Sequence, residues 1–169
     1  MAEMLTHVVA AYCLATLFSM RYNWIDPRYV TIAMIGAAIP DLSRMELIVS
    51  EHAIQTTLDI PFSWFAFHTA GGSFVVVLLG ALLVPEEYRR HVFAMLALGA
   101  ASHLLLDALL TSPSGHSYAI LWPLSTYTHP TPNLYLSTDR WPALVAVTAA
   151  SITWYLRYGQ ETGADDSLR

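Results

Sequence analysis

Five ionisable residues stand inside otherwise apolar stretches of the chain: His7, Asp41, His68, His103 and Asp107. His103 and Asp107 form H-x-x-x-D, and residues four apart project from one helix face. The pair could supply two donors to one ion, as paired histidines do in other helical metal sites. Taken alone, the spacing fits equally well an aspartate that orients or neutralises a buried histidine. His7, Asp41 and His68 shift the balance, because two carboxylates buried together at neutral pH need a cation or a shared proton. The single cysteine, Cys13, can build neither a disulfide framework nor a thiolate cluster within one chain. Histidine nitrogen and carboxylate oxygen are then the donors, a set that suits zinc, manganese or iron(II), with zinc the first choice. All-oxygen sites would favour magnesium or calcium instead.

The elements that must carry these residues are strongly apolar. Of 169 residues, 55% are hydrophobic and 12% are charged, against about 25% charged in an ordinary soluble domain. The expectation is an all-α, polytopic membrane helical bundle of about five transmembrane helices with an outer-side loop cap. The candidate spans are Glu3 to Met20, Arg28 to Asp41, Pro61 to Val84, His91 to Thr111 and Trp141 to Arg157. A span needs about 20 mostly apolar residues; the third and fourth satisfy this, while the second starts after an Asp26-Pro27 cap pair and breaks near Pro40. One helical domain over residues 1–158 and a polar, disordered cytoplasmic tail over 159–169 follow from this partition. With Glu3 in place of a basic leader, the first stretch reads as a retained anchor.

Arginine placement gives a direction. Arg21, Arg28, Arg89, Arg90, Arg157 and Arg169 fall on one side of the spans, and Arg44 and Arg140 on the other. The expected localisation is the cell membrane, multi-pass, with the N-terminus outside and the C-terminus cytoplasmic. Counted inward at about 1.5 Å per residue, His7 and Asp107 lie roughly 6 Å deep, His68 roughly 9 to 10 Å and His103 roughly 12 Å. Asp41 ends the second span on the same side, so four spans contribute to one outer-leaflet layer. Ser112 to Arg140, rich in Pro, Ser, Thr and Tyr, reads as an ordered cap. His52, His116 and His129 read as solvated loop residues, and His91, beside Arg89 and Arg90, falls away from the layer. A net charge of −5 without clustered basic residues excludes nucleic-acid binding.

The order of these pieces resembles the YdjM-like family of inner-membrane, predicted metal-dependent hydrolases. The matching residues are Thr6-His7, Gly36 to Pro40-Asp41, His68-Thr69, Ser102-His103 with Asp107, and Gly115 followed by Trp122-Pro123-Leu124-Ser125. The resemblance covers residues 6 to about 125 and implies a small helical membrane protein whose His and Asp residues bind a divalent metal at a hydrolytic centre. Ser43 stands where the family tends to carry a second Asp, and Ser63-Trp64 where it tends to carry His-Arg. Those departures imply one metal instead of two, a changed substrate, or lost catalysis.

The expected function is a membrane-embedded metal-dependent hydrolase acting on a lipid or lipid-linked ester or phosphoester at the outer leaflet. His7, His68, His103 and Asp107 would be ligands, and Asp41 a ligand or the general base. The alternative is a non-catalytic membrane protein in which the same cluster holds a structural metal, docks a partner or relays protons. Serine hydrolysis is disfavoured because no G-x-S-x-G is present.

Overall fold

The computed structural model describes residues 2–159; beyond Gly159, the expected cytoplasmic tail lies outside the described residues. Six α-helices follow in order: α1 (Ala2–Ser19), α2 (Pro27–Ala38), α3 (Glu51–Leu58), α4 (Ala70–Leu82), α5 (Glu86–Asp107) and α6 (Trp141–Trp154). Two 3₁₀ turns, Pro40–Leu47 and Trp64–His68, and a π turn, Tyr155–Gly159, complete them. Among the described residues β pairing is limited to two isolated bridges, Leu110 with Tyr135 and His116 with Pro130.

Local chemistry sets the boundaries. The Asp26 carboxylate accepts from the backbone N–H of Arg28 at 2.8 Å and of Tyr29 at 3.2 Å, and Pro27 enters the first turn, where its missing N–H costs nothing. Pro40 cannot extend α2, since its ring excludes the preceding helical carbonyl, and the chain tightens into the Pro40–Leu47 turn. The apolar stretch from Pro61 to Val84 is cut at Thr69, whose backbone is extended (φ −121°, ψ 161°) and whose hydroxyl accepts from Gly72 N–H at 3.3 Å. That N-cap restarts the chain as α4 and leaves His68 at the end of a separate turn.

α5 is the central element and packs against α1, α2 and α4, while α6 lies on α1. One core joins Ile39, Val77, Ala81, Val92, Leu96 and Ala100, and a second joins Ala15, Ile25, Val30, Ala33 and Met95. At the α2–α5 crossing the backbones touch. A Cβ on Gly99 would stand 2.0 Å from the Ala33 carbonyl oxygen, and one on Gly36 2.4 Å from that of Leu96. Only glycine allows this approach.

No helix among the described residues is long and apolar enough to cross a membrane. This corrects the five-span membrane bundle. It also removes what was built on the spans: the membrane-embedded hydrolase at an outer leaflet, the membrane-lipid or lipid-linked substrate, and the multi-pass localisation with its outside and cytoplasmic ends. α2, α4 and α6 have 12, 13 and 14 residues, roughly 18 to 21 Å at 1.5 Å per residue against a hydrocarbon core of about 30 Å. α5 has 22 residues but opens on Glu86, Glu87, Arg89 and Arg90. Composition measures how much apolar surface a chain carries, whereas caps and prolines decide how long each helix runs. Here they divide the apolar stretches into short elements.

Candidate metal centre

His7 in the second turn of α1 is 3% exposed and His103 on α5 is 1% exposed. Asp107 closes α5 one turn after His103, with 9% of its side chain exposed. His68 ends the Trp64–His68 turn, and Asp41 is the second residue of the Pro40–Leu47 turn. Each is fixed locally. The Thr69 hydroxyl donates to Ala66 O at 2.7 Å and the Ser73 hydroxyl to Phe67 O at 2.8 Å, which ties the His68 turn to α4. His103 Nδ1 donates to Ala37 O at 2.7 Å across the glycine crossing. A carbonyl can only accept, so Nδ1 carries hydrogen and Nε2 faces the cluster.

Asp107 is the hub. Its Oδ1 lies 3.1 Å from His7 Nε2, and its Oδ2 lies 2.7 Å from His68 Nε2 and 3.3 Å from His103 Nε2. The His7 and His103 rings stack with centroids 3.7 Å apart at 15°. One donor atom from each of His7, His103 and Asp107 lies within 4.8 Å of the other two, and the same holds for Asp41, His68 and His103. Donors about 2.1 Å from a tetrahedral ion stand roughly 3.4 Å apart, and about 3.0 Å at right angles. The observed 3.1 and 3.3 Å edges fall in that range, while 2.7 Å for His68 is a hydrogen-bond length.

Three buried atoms of this group have no hydrogen-bond partner: His7 Nδ1, His103 Nε2 and Asp41 Oδ2. His103 Nε2 is near Asp107 but is not aligned to bond it. The second oxygen of Asp41, Oδ1, accepts from Arg44 Nε at 2.8 Å. Buried polar groups are nearly always paired, so His103 Nε2 and Asp41 Oδ2, which lie in this donor cluster without a partner, fit a divalent cation as the missing one. The cluster could hold such a cation.

Electrostatics point the same way. Burial by itself would raise the Asp107 carboxyl, yet the three imidazoles of His103, His68 and His7 gathered around it outweigh burial and hold the group well below the usual carboxylate range. Burial would lower His68, but the bond to Asp107, its charge, Pro40 O and Asp41 together raise the imidazole above its ordinary value. His68 Nδ1 faces Pro40 O at 3.1 Å while Nε2 faces Asp107, so both nitrogens point at acceptors and favour the protonated ring.

Residues 1–164 match the family model described as YdjM inner membrane protein. The chain belongs to that family. No curated protein and no solved structure matches it. At Ser63-Trp64, the hydroxyl of Ser63 and the N–H of Trp64 both donate to Glu51 Oε1, at 2.8 and 2.7 Å. These bonds tie the segment to α3. Ser43 lies with Arg44, Glu46, Leu47 and Phe65 around a depression of about 260 Å³.

The structure thus gathers all five expected residues. It adds two that sequence reading missed. Arg44 was legible three residues after Asp41. Tyr118, whose ring lies 5.2 Å from that of His68, gave no signal in an aperiodic segment.

Proposed function

We propose that this chain is a metal-dependent hydrolase with a zinc centre, in which His7, His68, His103 and Asp107 are the ligands and Asp41 is the general base. The observation that carries this reading is the buried, unpaired His103 Nε2 beside Asp107, among the donors of His7, Asp41 and His68. An unpaired buried group of this kind costs about 1 to 3 kcal/mol. Bound there, zinc would polarise a carbonyl or phosphoryl group and lower the pKa of a water molecule toward about 7. In the metal-free chain Asp107 positions His7 and His68 through their Nε2 atoms. Arg44 engages Oδ1 of Asp41 and leaves Oδ2 to take a proton from the attacking water. Ala37 O and Pro40 O fix which imidazole nitrogens face the centre.

Elemental analysis of the purified protein, followed by a screen of water-soluble esters and phosphoesters with and without chelator, tests this directly. About one zinc per chain and chelator-sensitive turnover are expected. Full activity in chelator would refute it.

The near-complete burial of His7 and His103 favours a second reading, a closed structural site. Cobalt substitution separates the two: an open position gives a visible spectrum that responds to added anions, and a closed four-ligand site does not.

A further inference from the structure

A fourth orphan borders the centre. The Tyr118 hydroxyl is buried and has no hydrogen-bond partner among the described residues. Its ring lies 5.2 Å from that of His68 and 5.5 Å from that of Phe65. The backbone around it is pinned. Tyr118 O accepts from the Ser117 hydroxyl at 2.9 Å and from Ile120 N–H at 2.8 Å. The flanking chain is bonded to the start of α4, Ala70 N–H to Ile120 O at 2.7 Å and Gly71 N–H to Trp122 O at 3.0 Å. The segment is therefore held to the start of α4, with the Tyr118 ring beside Phe65 and His68 of the preceding turn.

The four orphans differ in kind. His7 Nδ1, His103 Nε2 and Asp41 Oδ2 can each meet a cation or a proton. A phenol near neutral pH keeps its O–H, with an ordinary pKa near 10, and although its oxygen can also accept, a cation cannot satisfy the donor. What it lacks is an acceptor oxygen, and buried tyrosines normally have one. A depression lined by Ser43, Arg44, Glu46, Leu47 and Phe65 shares residues with this neighbourhood. Arg44 from its wall bonds Asp41, and the Phe65 ring is 6.2 Å from that of His68 and also borders Tyr118.

We infer that Tyr118 donates a hydrogen bond to an oxygen of the substrate held at this centre, so that the site accepts an oxyanion of the phosphate or tetrahedral-ester class. The inference rests on the metal-hydrolase reading. No bond to Tyr118 forms or breaks; the hydroxyl keeps its proton and its bond to the substrate oxygen shortens as negative charge develops there. Removing one such donor typically lowers kcat about 10²- to 10³-fold.

The test uses inorganic phosphate as probe on the zinc-loaded full chain, with zinc titration run in parallel on the unmodified protein and on Tyr118→Phe. The variant keeps the ring packed against His68 and Phe65, so its zinc affinity should match the unmodified chain. Its phosphate affinity, measured by calorimetry, should fall about 10- to 100-fold, and its kcat/KM should fall by at least as much, because the bond strengthens as charge develops. Equal phosphate affinity in the two zinc-loaded proteins would overturn the role of Tyr118, as would no measurable phosphate binding to the unmodified chain. Failure of the unmodified chain to bind zinc would overturn the metal reading, and this inference with it.

Discussion

Gly99→Ala adds one methyl group where α2 and α5 touch, and the new Cβ would stand 2.0 Å from Ala33 O and 2.5 Å from Ala37 N. Ordinary contact begins at 3.4 Å, so the helices must part by about 1.4 Å, the difference between the two distances. Both neighbours are backbone atoms that no rotamer change can move. His103 sits one turn further along α5, and its Nδ1 bonds Ala37 O at 2.7 Å. The same displacement stretches that bond to about 4 Å, beyond the range of about 2.7 to 3.2 Å in which it exists. Overpacking costs about 1 to 3 kcal/mol and the lost buried hydrogen bond about 1 to 3 kcal/mol. The expected destabilisation is about 2 to 6 kcal/mol, a large share of a typical 5 to 15 kcal/mol. Urea denaturation of the metal-free chain measures it, and zinc titration reads the displaced His103. Gly80→Ala is the control, because its Cβ would meet only the flexible Leu96 Cδ1 at 3.0 Å; it should change stability by less than about 1 kcal/mol. If Gly99→Ala bound zinc like the unmodified chain and lost no more stability than the control, the argument linking the crossing to the centre would be wrong.

The other expectations concern the donors themselves. His103→Ala should lower zinc affinity by more than about 100-fold, since even outer partners of a ligand are worth 10- to 100-fold; competition with a chromophoric chelator measures this. Asp41→Asn keeps the shape and should lower turnover about 10²- to 10⁴-fold while zinc content is retained, and parallel loss of zinc would make Asp41 a ligand instead of the base. In the metal-free chain the raised His68 pKa contributes stability that is fully present below its ordinary 6.5 and lost as pH rises through the folded value. Zinc must displace that proton, so calorimetry in buffers of different ionisation enthalpy should detect proton release, with affinity climbing as pH rises above 6.5. The depressed Asp107 carboxyl acts in the opposite sense: its contribution is present above 3.8 and lost as pH falls below it. Free zinc at 100 times its Kd should stabilise the fold by about 2.7 kcal/mol, and chelation should remove that gain.

Helicity was legible, as were α2 with its Asp26-Pro27 start and α6 near Trp141. The H-x-x-x-D pair was legible because an i, i+4 relation is local to one helix. The membrane was misread, because apolar content counts residues and not unbroken helix length. The punctuation was nonetheless in the sequence: Thr69 with Gly71 and Gly72 is an N-cap signal inside a stretch read as one span. His68 accordingly reaches Asp107 from a 3₁₀ turn, not from mid-helix. The five polar residues meet for a different reason than shared bilayer depth: α5 is the element that the others pack around. Tyr118 could not be placed, since its position depends on hydrogen bonds to Ala70 and Gly71 about fifty residues away in sequence.

The bond between His7 and Asp107 joins residues one hundred positions apart. On a ribosome adding about 5 to 20 residues per second, α1 is made about 5 to 20 s before Asp107 is added. For that interval His7 has no carboxylate to meet, and α5, which organises the bundle, is incomplete. The pocket for the ion is therefore among the last features to form, and a nascent chain cannot capture metal in its native geometry before residue 107 has left the exit tunnel. A stall or truncation just upstream of that point would leave a product that carries His7, Asp41, His68 and His103 without the carboxylate that joins them.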